Sequence, residues 1–294
     1  KYDIVISNNF YGAGYYPKQA KGFNIYHSTH AGYANALRKK ISKSEFRNLK
    51  YYYGHIGDRL SGIRKRKIAV SKSVTDELKN YYGFRNITLV NHGIDTDFYK
   101  KIDDADSLRK KWNIPSGKFT GFFAGRWETG KGTDIMTETI IRHREIFWLL
   151  ATGNTECPLH ELPNVKIIKN ADRDSMLELY SLSDFMLFPS YYEGFGLVIA
   201  EAMSCDLPVI CTEMGIAKEL INHSELKRLI IPIKSHAEIC NNIDEKISLL
   251  RTDMQFRKKI LDNGRNIISN NYGIDKWKEN IAIALNLRNI NTLK

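Results

Sequence analysis

Short runs of apolar residues, many β-branched or aromatic, alternate along the chain with longer stretches whose apolar positions recur three and four apart. The short runs are Ile4–Ile6, Asn24–Tyr26, Ile68–Val70, Thr88–Val90, Phe119–Ala124, Ile146–Ala151, Val165–Ile168, Phe185–Phe188, Val209–Cys211 and Leu229–Ile231. Each has the length and composition of a strand, whereas stretches such as Ser175–Ser183 and Ala237–Leu250 carry the helical period. Strands that are apolar throughout predict sheets covered on both faces, and their alternation with helices predicts parallel pairing. The expected fold class is α/β, built from doubly wound sheets.

The strand pattern lapses over residues 100–117. Lys100–Ser107 is polar and acidic, a short basic helical stretch follows, and Pro115-Ser116-Gly117 spells a turn. This divides the chain into a first domain over 1–99, a linker over 100–117 and a larger domain over 118–270. Residues 271–294 hold a last helix around Asp275–Leu287, expected to return to the first domain. That first domain offers about four strands where a full doubly wound sheet has five or six. It therefore reads as incomplete, lacking about 70–90 residues at its front.

The 294 residues are 43% hydrophobic and 26% charged, enough for two packed cores and unlike a disordered or fibrous chain. Lysine and arginine outnumber acids 44 to 33, a net +11 that points to anionic partners such as phosphates, lipid surfaces or nucleic acid. Cys157, Cys205, Cys211 and Cys240 lie far apart with no Cys-x-x-Cys pair, which argues against a zinc ribbon or disulfide framework. They fit a reducing compartment, and a cytoplasmic location is expected. No apolar run approaches the 18 residues of a spanning helix.

Strand Phe119–Ala124 runs into Gly125-Arg126-Trp127-Glu128-Thr129-Gly130-Lys131-Gly132, with a helix predicted from Thr133. A glycine-rich turn between strand and helix presents main-chain N–H groups and the positive helix end to an anion, and Arg126 and Lys131 add two charges. The spelling falls short of a triphosphatase P-loop, which needs Ser or Thr directly after the lysine, where this chain has Gly132. Alone, the loop reads best as a glycine turn with surface cations.

A second segment, Pro189-Ser190-Tyr191-Tyr192-Glu193-Gly194-Phe195-Gly196-Leu197-Val198-Ile199-Ala200-Glu201, changes that balance. Glu193 falls in a loop at the carboxyl end of a strand, where ligands bind in open α/β sheets. Glu201 falls about one turn inside the helix that starts near Leu197. A carboxylate accepts two hydrogen bonds at once and suits the neighbouring hydroxyls of a sugar or ribose. The intervening glycines let main-chain N–H groups approach a phosphate. The plainer alternative is one acid favoured by the helix dipole beside an ordinary surface acid.

This string resembles the signature of the retaining family 4 glycosyltransferases, Glu-x7-Glu within Glu-Gly-Phe-Gly-Leu, which adopt the GT-B fold of two Rossmann-like domains flanking a cleft. The resemblance extends through Met203–Ile210, the Leu179–Asp184 helix, Ile68–Ser71 and His92–Phe98. It implies a nucleoside-diphosphate sugar donor, UDP-sugar foremost, and a glycan or lipid-linked acceptor. In that frame Glu193, Gly194 and Phe195 face the donor sugar, and Glu201 faces the ribose. Arg126 and Lys131 hold the diphosphate with the main chain of Gly196 and Leu197. The base rests on Lys169, Asn170 and Ala171. The resemblance also implies a histidine after an early strand, reaching the reacting sugar; His27 fits that register better than His30. Glu193 and His27 are the expected catalytic pair, and no cofactor or metal is implied. Asp95-Thr96-Asp97 and Asp172-Arg173-Asp174 repeat an Asp-x-Asp spelling used elsewhere for metal but are expected to be incidental, and no clustered metal ligands are read. His92 is expected to be structural. One departure is Ile216, where the family usually has a second glycine after Gly215. A nucleotide-sugar-binding module without turnover is the alternative from another class.

Residues 38–67 carry eleven basic side chains against Glu45 and Asp58, interleaved with Tyr51-Tyr52-Tyr53. Such a stretch suits an anionic membrane surface or a lipid-phosphate acceptor, or equally a solvated helix face. No nucleic-acid-binding module accompanies it, so nucleic acid is not an expected partner.

Overall fold

The computed structural model describes residues 3–16, 21–153 and 155–287. Its apolar runs form two parallel sheets. The first comprises β1 (Ile4–Asn8), β2 (Lys21–Tyr26), β3 (Arg66–Ala69) and β4 (Ile87–Leu89), in that spatial order. The second comprises β5 (Thr120–Ala124), β6 (Phe147–Ala151), β7 (Val165–Ile168), β8 (Phe185–Phe188), β9 (Val209–Thr212) and β10 (Ile230–Ile231). Every residue of β5, β6, β8 and β9 is buried, because helices cover both faces and leave no solvent side for polar alternation. In contrast, β1 pairs only with β2 among the described residues, and its Ile6 is 45% exposed.

The order of the second sheet, β10-β9-β8-β5-β6-β7, fixes where a ligand has room. The chain builds outward from β5 to β7, then returns to β8 on the other side of β5. The connections leaving β5 and β8 therefore diverge, and a crevice opens at their carboxyl ends, as at the switch point of any doubly wound sheet. Both glycine-rich segments occupy those two connections.

Local chemistry sets the helix starts. Asp172 accepts the Ser175 N–H at 2.8 Å and so begins the Arg173–Leu182 helix two residues ahead of its expected start. Ser235 and Glu238 form a reciprocal capping box at the head of the His236–Thr252 helix. The Met254–Tyr272 helix packs on the second sheet's Leu197–Ser204 helix, after which the chain crosses to the first sheet. There Ile281 and Leu285 of the Ile274–Leu285 helix close a small core with Phe23, Ile68 and Val90. At the crossing, Ile94 N–H donates to Tyr272 at 2.7 Å and Ile274 N–H donates to Ile94 at 2.9 Å.

Candidate functional site

A cavity of about 570 Å³ lies between the two sheets. From the second sheet it is lined by Arg126, Glu128, Gly130 and Lys131 after β5, and by Tyr192 through Leu197 after β8. The loops meet main chain to main chain. Gly132 has φ +70°, and a Cβ there would collide with the Pro189 carbonyl; a Cβ on Gly194 would collide with the carbonyl of His27 from the first sheet. Glycine at these two positions lets three chain segments converge.

Lys131 Nζ forms an ion pair with Glu193 Oε1, and Ser190 Oγ donates to the same oxygen at 3.0 Å. Both charged groups are largely shielded from solvent, so their attraction is stronger than at an open surface. Arg126 is 69% exposed and pairs with Glu128 at 3.0 Å, a contact of little energetic weight that leaves the guanidinium free to move. Gly196 precedes the Leu197–Ser204 helix with φ +91° and offers no side-chain cap, so the first helical N–H groups stay available at the cavity wall.

From the first sheet, the loop after β2 contributes His27, Ser28, Thr29 and His30. His27 Nδ1 lies 3.2 Å from His92 Nε2, its Nε2 lies 3.1 Å from Asn8 Oδ1, and the two imidazoles stack at 5.2 Å. Burial lowers the pKa of His27, and burial together with the neighbouring His27 charge lowers that of His92 to about 4. Both rings are therefore neutral near pH 7 and act as hydrogen-bonding groups. His30 is held differently: its main-chain N–H and ring Nδ1 both engage the fully buried Asp58 carboxylate, at 2.8 and 3.0 Å. His27 and His30 thus both line the cavity. His92, expected to be structural, is a third histidine in its wall, and only tertiary packing brings it beside His27.

Two groups of expected site residues lie outside the residues that line the cavity. Glu201 stands one helical turn beyond Leu197, where the Tyr180 hydroxyl donates to its carboxylate at 2.8 Å and burial raises its pKa. Lys169, Asn170 and Ala171 follow β7, which β6 separates from β5. At about 5 Å per strand, this removes them by about 10 Å from the Lys131 loop. Tyr33, Leu49, Glu128 and Tyr192 line the cavity although they were not read as site residues. Tyr192 and Glu128 carry a signal in the sequence, their places within the two glycine-rich strings, whereas Tyr33 and Leu49 carry none. The Asp-x-Asp spellings are structural. Asp172 caps a helix, while Asp95 accepts from Phe98 N–H at 3.1 Å and pairs with Arg173 at 2.7 Å.

The basic stretch does not form one surface. Lys65 is buried, donating to Ser7 and to the Gly12 carbonyl, and Lys40 pairs with Asp134 at 2.6 Å. Arg38, Lys43 and Arg47 instead gather around Phe46 at a separate hollow. All four cysteines are buried and free. Among the described residues, no helix is long and apolar enough to cross a membrane.

The glycosyl transferases group 1 family matches residues 104–267, and glycosyltransferase family 4 matches residues 1–98. D-inositol 3-phosphate glycosyltransferase of Streptomyces bingchenggensis is 25% identical over 181 residues, covering 54% of this chain and 40% of that protein. The chain spans about half the length of the curated relatives it matches. Sucrose-phosphate synthase from Thermosynechococcus elongatus superposes with a TM-score of 0.73 at 17% identity, over 100% of this chain and 75% of that one. An Anabaena protein solved with UDP-glucose gives 0.69 at 20% identity, over 91% and 72%. These structural likenesses establish a shared two-domain GT-B architecture.

Proposed function

The chain belongs to the glycosyl transferases group 1 family, and from that premise we propose that it moves a hexosyl or related sugar from a nucleoside-diphosphate donor, UDP-sugar foremost, to a glycan or lipid-linked acceptor with retention. The observation that carries this reading is convergence: Lys131, Glu193 and the uncapped start of the Leu197–Ser204 helix open onto one cavity at the switch point between β5 and β8.

In this reading the diphosphate lies against the N–H groups at Gly196 and Leu197, with Lys131 and the movable Arg126 on its oxygens. As the bond from the anomeric carbon to the phosphate oxygen breaks, its electron pair goes to the diphosphate. The acceptor oxygen bonds to that carbon on the same face, and the acceptor's proton passes to the departing diphosphate. The two cations and the helix end stabilise that charge, in the place a divalent metal takes elsewhere. Glu193, with Gly194 and Phe195, faces the donor sugar and orients it. Neutral His27 exchanges its Asn8 partner for a sugar hydroxyl. Glu201 takes the ribose from one turn along the helix. The base extends toward Lys169–Ala171 beyond the cavity. Arg38, Lys43 and Arg47 form the contact to an anionic membrane surface or lipid phosphate, for a protein working from the cytoplasmic side.

The test is a thermal-shift screen of nucleoside diphosphates followed by transfer from the stabilising sugar donor. Stabilisation by UDP, lost in Lys131→Ala, supports the reading, and indifference to every nucleoside diphosphate sinks it. Flotation with anionic and neutral liposomes tests the surface contact, and equal recovery on both would end it.

A further inference from the structure

Away from the cavity, the Thr133–Arg142 and His236–Thr252 helices pack together and place three metal-ligating side chains at one point. His236 and Cys240 stand one turn apart on the same helix face, and Glu138 approaches from the facing helix. One donor atom from each lies within 4.8 Å of the others. Bonds of 2.0–2.3 Å to a tetrahedral ion would set these atoms about 3.3–3.8 Å apart, so small side-chain movements suffice.

The surroundings are arranged as around a coordinated histidine. His236 Nε2 lies 2.6 Å from Glu138 Oε2, while its Nδ1 lies 3.2 Å from Asp134 Oδ2. A carboxylate on the far ring nitrogen fixes the tautomer and turns the other nitrogen toward a metal. Glu138 divides its oxygens: Oε1 takes the Arg142 guanidinium, and Oε2 faces His236. Asp134 Oδ1 is shielded from solvent and has no hydrogen-bond partner among the described residues. Asp134, Glu138 and Asp244 face two permanent cations, Lys40 and Arg142, with His143 also on Asp244, so the cluster has room for further positive charge.

We propose that His236 Nε2, Glu138 Oε2 and Cys240 Sγ bind a zinc-type divalent cation, with Asp134 as the outer partner of the histidine and water completing the tetrahedron. The mixed nitrogen, sulfur and oxygen donor set favours this borderline ion over magnesium or calcium, which take oxygen. On binding, the Cys240 thiol releases its proton to solvent and the thiolate sulfur donates to the metal. The ion pins the His236–Thr252 helix to the helix that begins directly after Lys131 and Gly132, and so acts on the fold rather than in sugar transfer.

Cobalt(II) added to chelator-treated protein tests this directly, without reference to transferase activity. One equivalent is expected to give a thiolate-to-cobalt absorption band that zinc displaces. Cys240→Ser should abolish the band and Cys157→Ser should keep it. His236→Gln, checked for folding by circular dichroism, should abolish it too, and Asp134→Asn should weaken cobalt and zinc affinity about 10- to 100-fold. A folded wild-type protein with no band and no zinc-dependent thermal shift overturns the proposal, as does a band that survives Cys240→Ser.

Discussion

Tyr192, in the loop after β8 of the second sheet, donates its hydroxyl to Glu77 of the first at 2.8 Å, while its oxygen accepts the Thr29 main-chain N–H at 2.7 Å. Thr29 Oγ1 donates to the same Glu77 oxygen. One phenol therefore joins a helix and a loop of one half to the two-glutamate segment of the other.

Tyr192→Phe keeps the ring and removes both bonds. It is expected to cost about 1–3 kcal/mol, because the Thr29 N–H is left buried without a partner. Urea unfolding reads this as a lower midpoint at unchanged slope. A midpoint matching wild type would show that the halves are joined by other contacts.

Gly194→Ala puts a methyl group into the His27 carbonyl, where the nearest atoms are all main chain of His27 and Ser28 and no flexible side chain can yield. The expected cost is about 1–3 kcal/mol, as for other overpacked sites, together with a wider separation of the halves. Thermal unfolding and small-angle scattering measure the two effects.

Lys131→Ala and Glu193→Ala should separate donor binding from transfer. Losing Lys131 removes a cation from the proposed diphosphate and is expected to weaken UDP binding about tenfold or more by calorimetry. Losing Glu193 frees Lys131 from its partner, so UDP binding persists while transfer falls on the order of 10² to 10³. UDP affinity unchanged in Lys131→Ala would count against the diphosphate assignment.

His92 supplies a pH dependence. Its folded pKa is lowered to about 4, against 6.5 when unperturbed. Between those values the unfolded chain holds the proton and the folded chain does not, so stability rises with pH across this window and falls on acidification through it. About 1–3 kcal/mol should be lost between pH 6.5 and 4, the lower figure reflecting the ring's partial exposure. His92→Gln should flatten that decline in a series of denaturation curves.

The parts of this molecule legible in the sequence are those set by local pattern. The Phe185–Phe188 run is a strand because four consecutive apolar residues require cover on both faces, and the loop after it is glycine-rich because main chains meet there. Lys131 and Glu193 could be named because each follows a strand in a recognisable string. His92 against His27, Tyr192 against Glu77, and Glu138 against His236 were not legible. Each pair is separated by 65 residues or more and is brought together only by how the helices and sheets pack. The lack of Lys169–Ala171 in the cavity wall has the same origin, since strand order, not strand identity, sets their distance from β5.

Among the described residues the chain passes between the halves twice, and the two passages are stitched together where Ile94 exchanges main-chain hydrogen bonds with Tyr272 and Ile274. Both tethers are fastened at this one spot, and Ile94 does not line the cavity, so a substitution there is expected to loosen the two passages together without touching anything that the cleft holds.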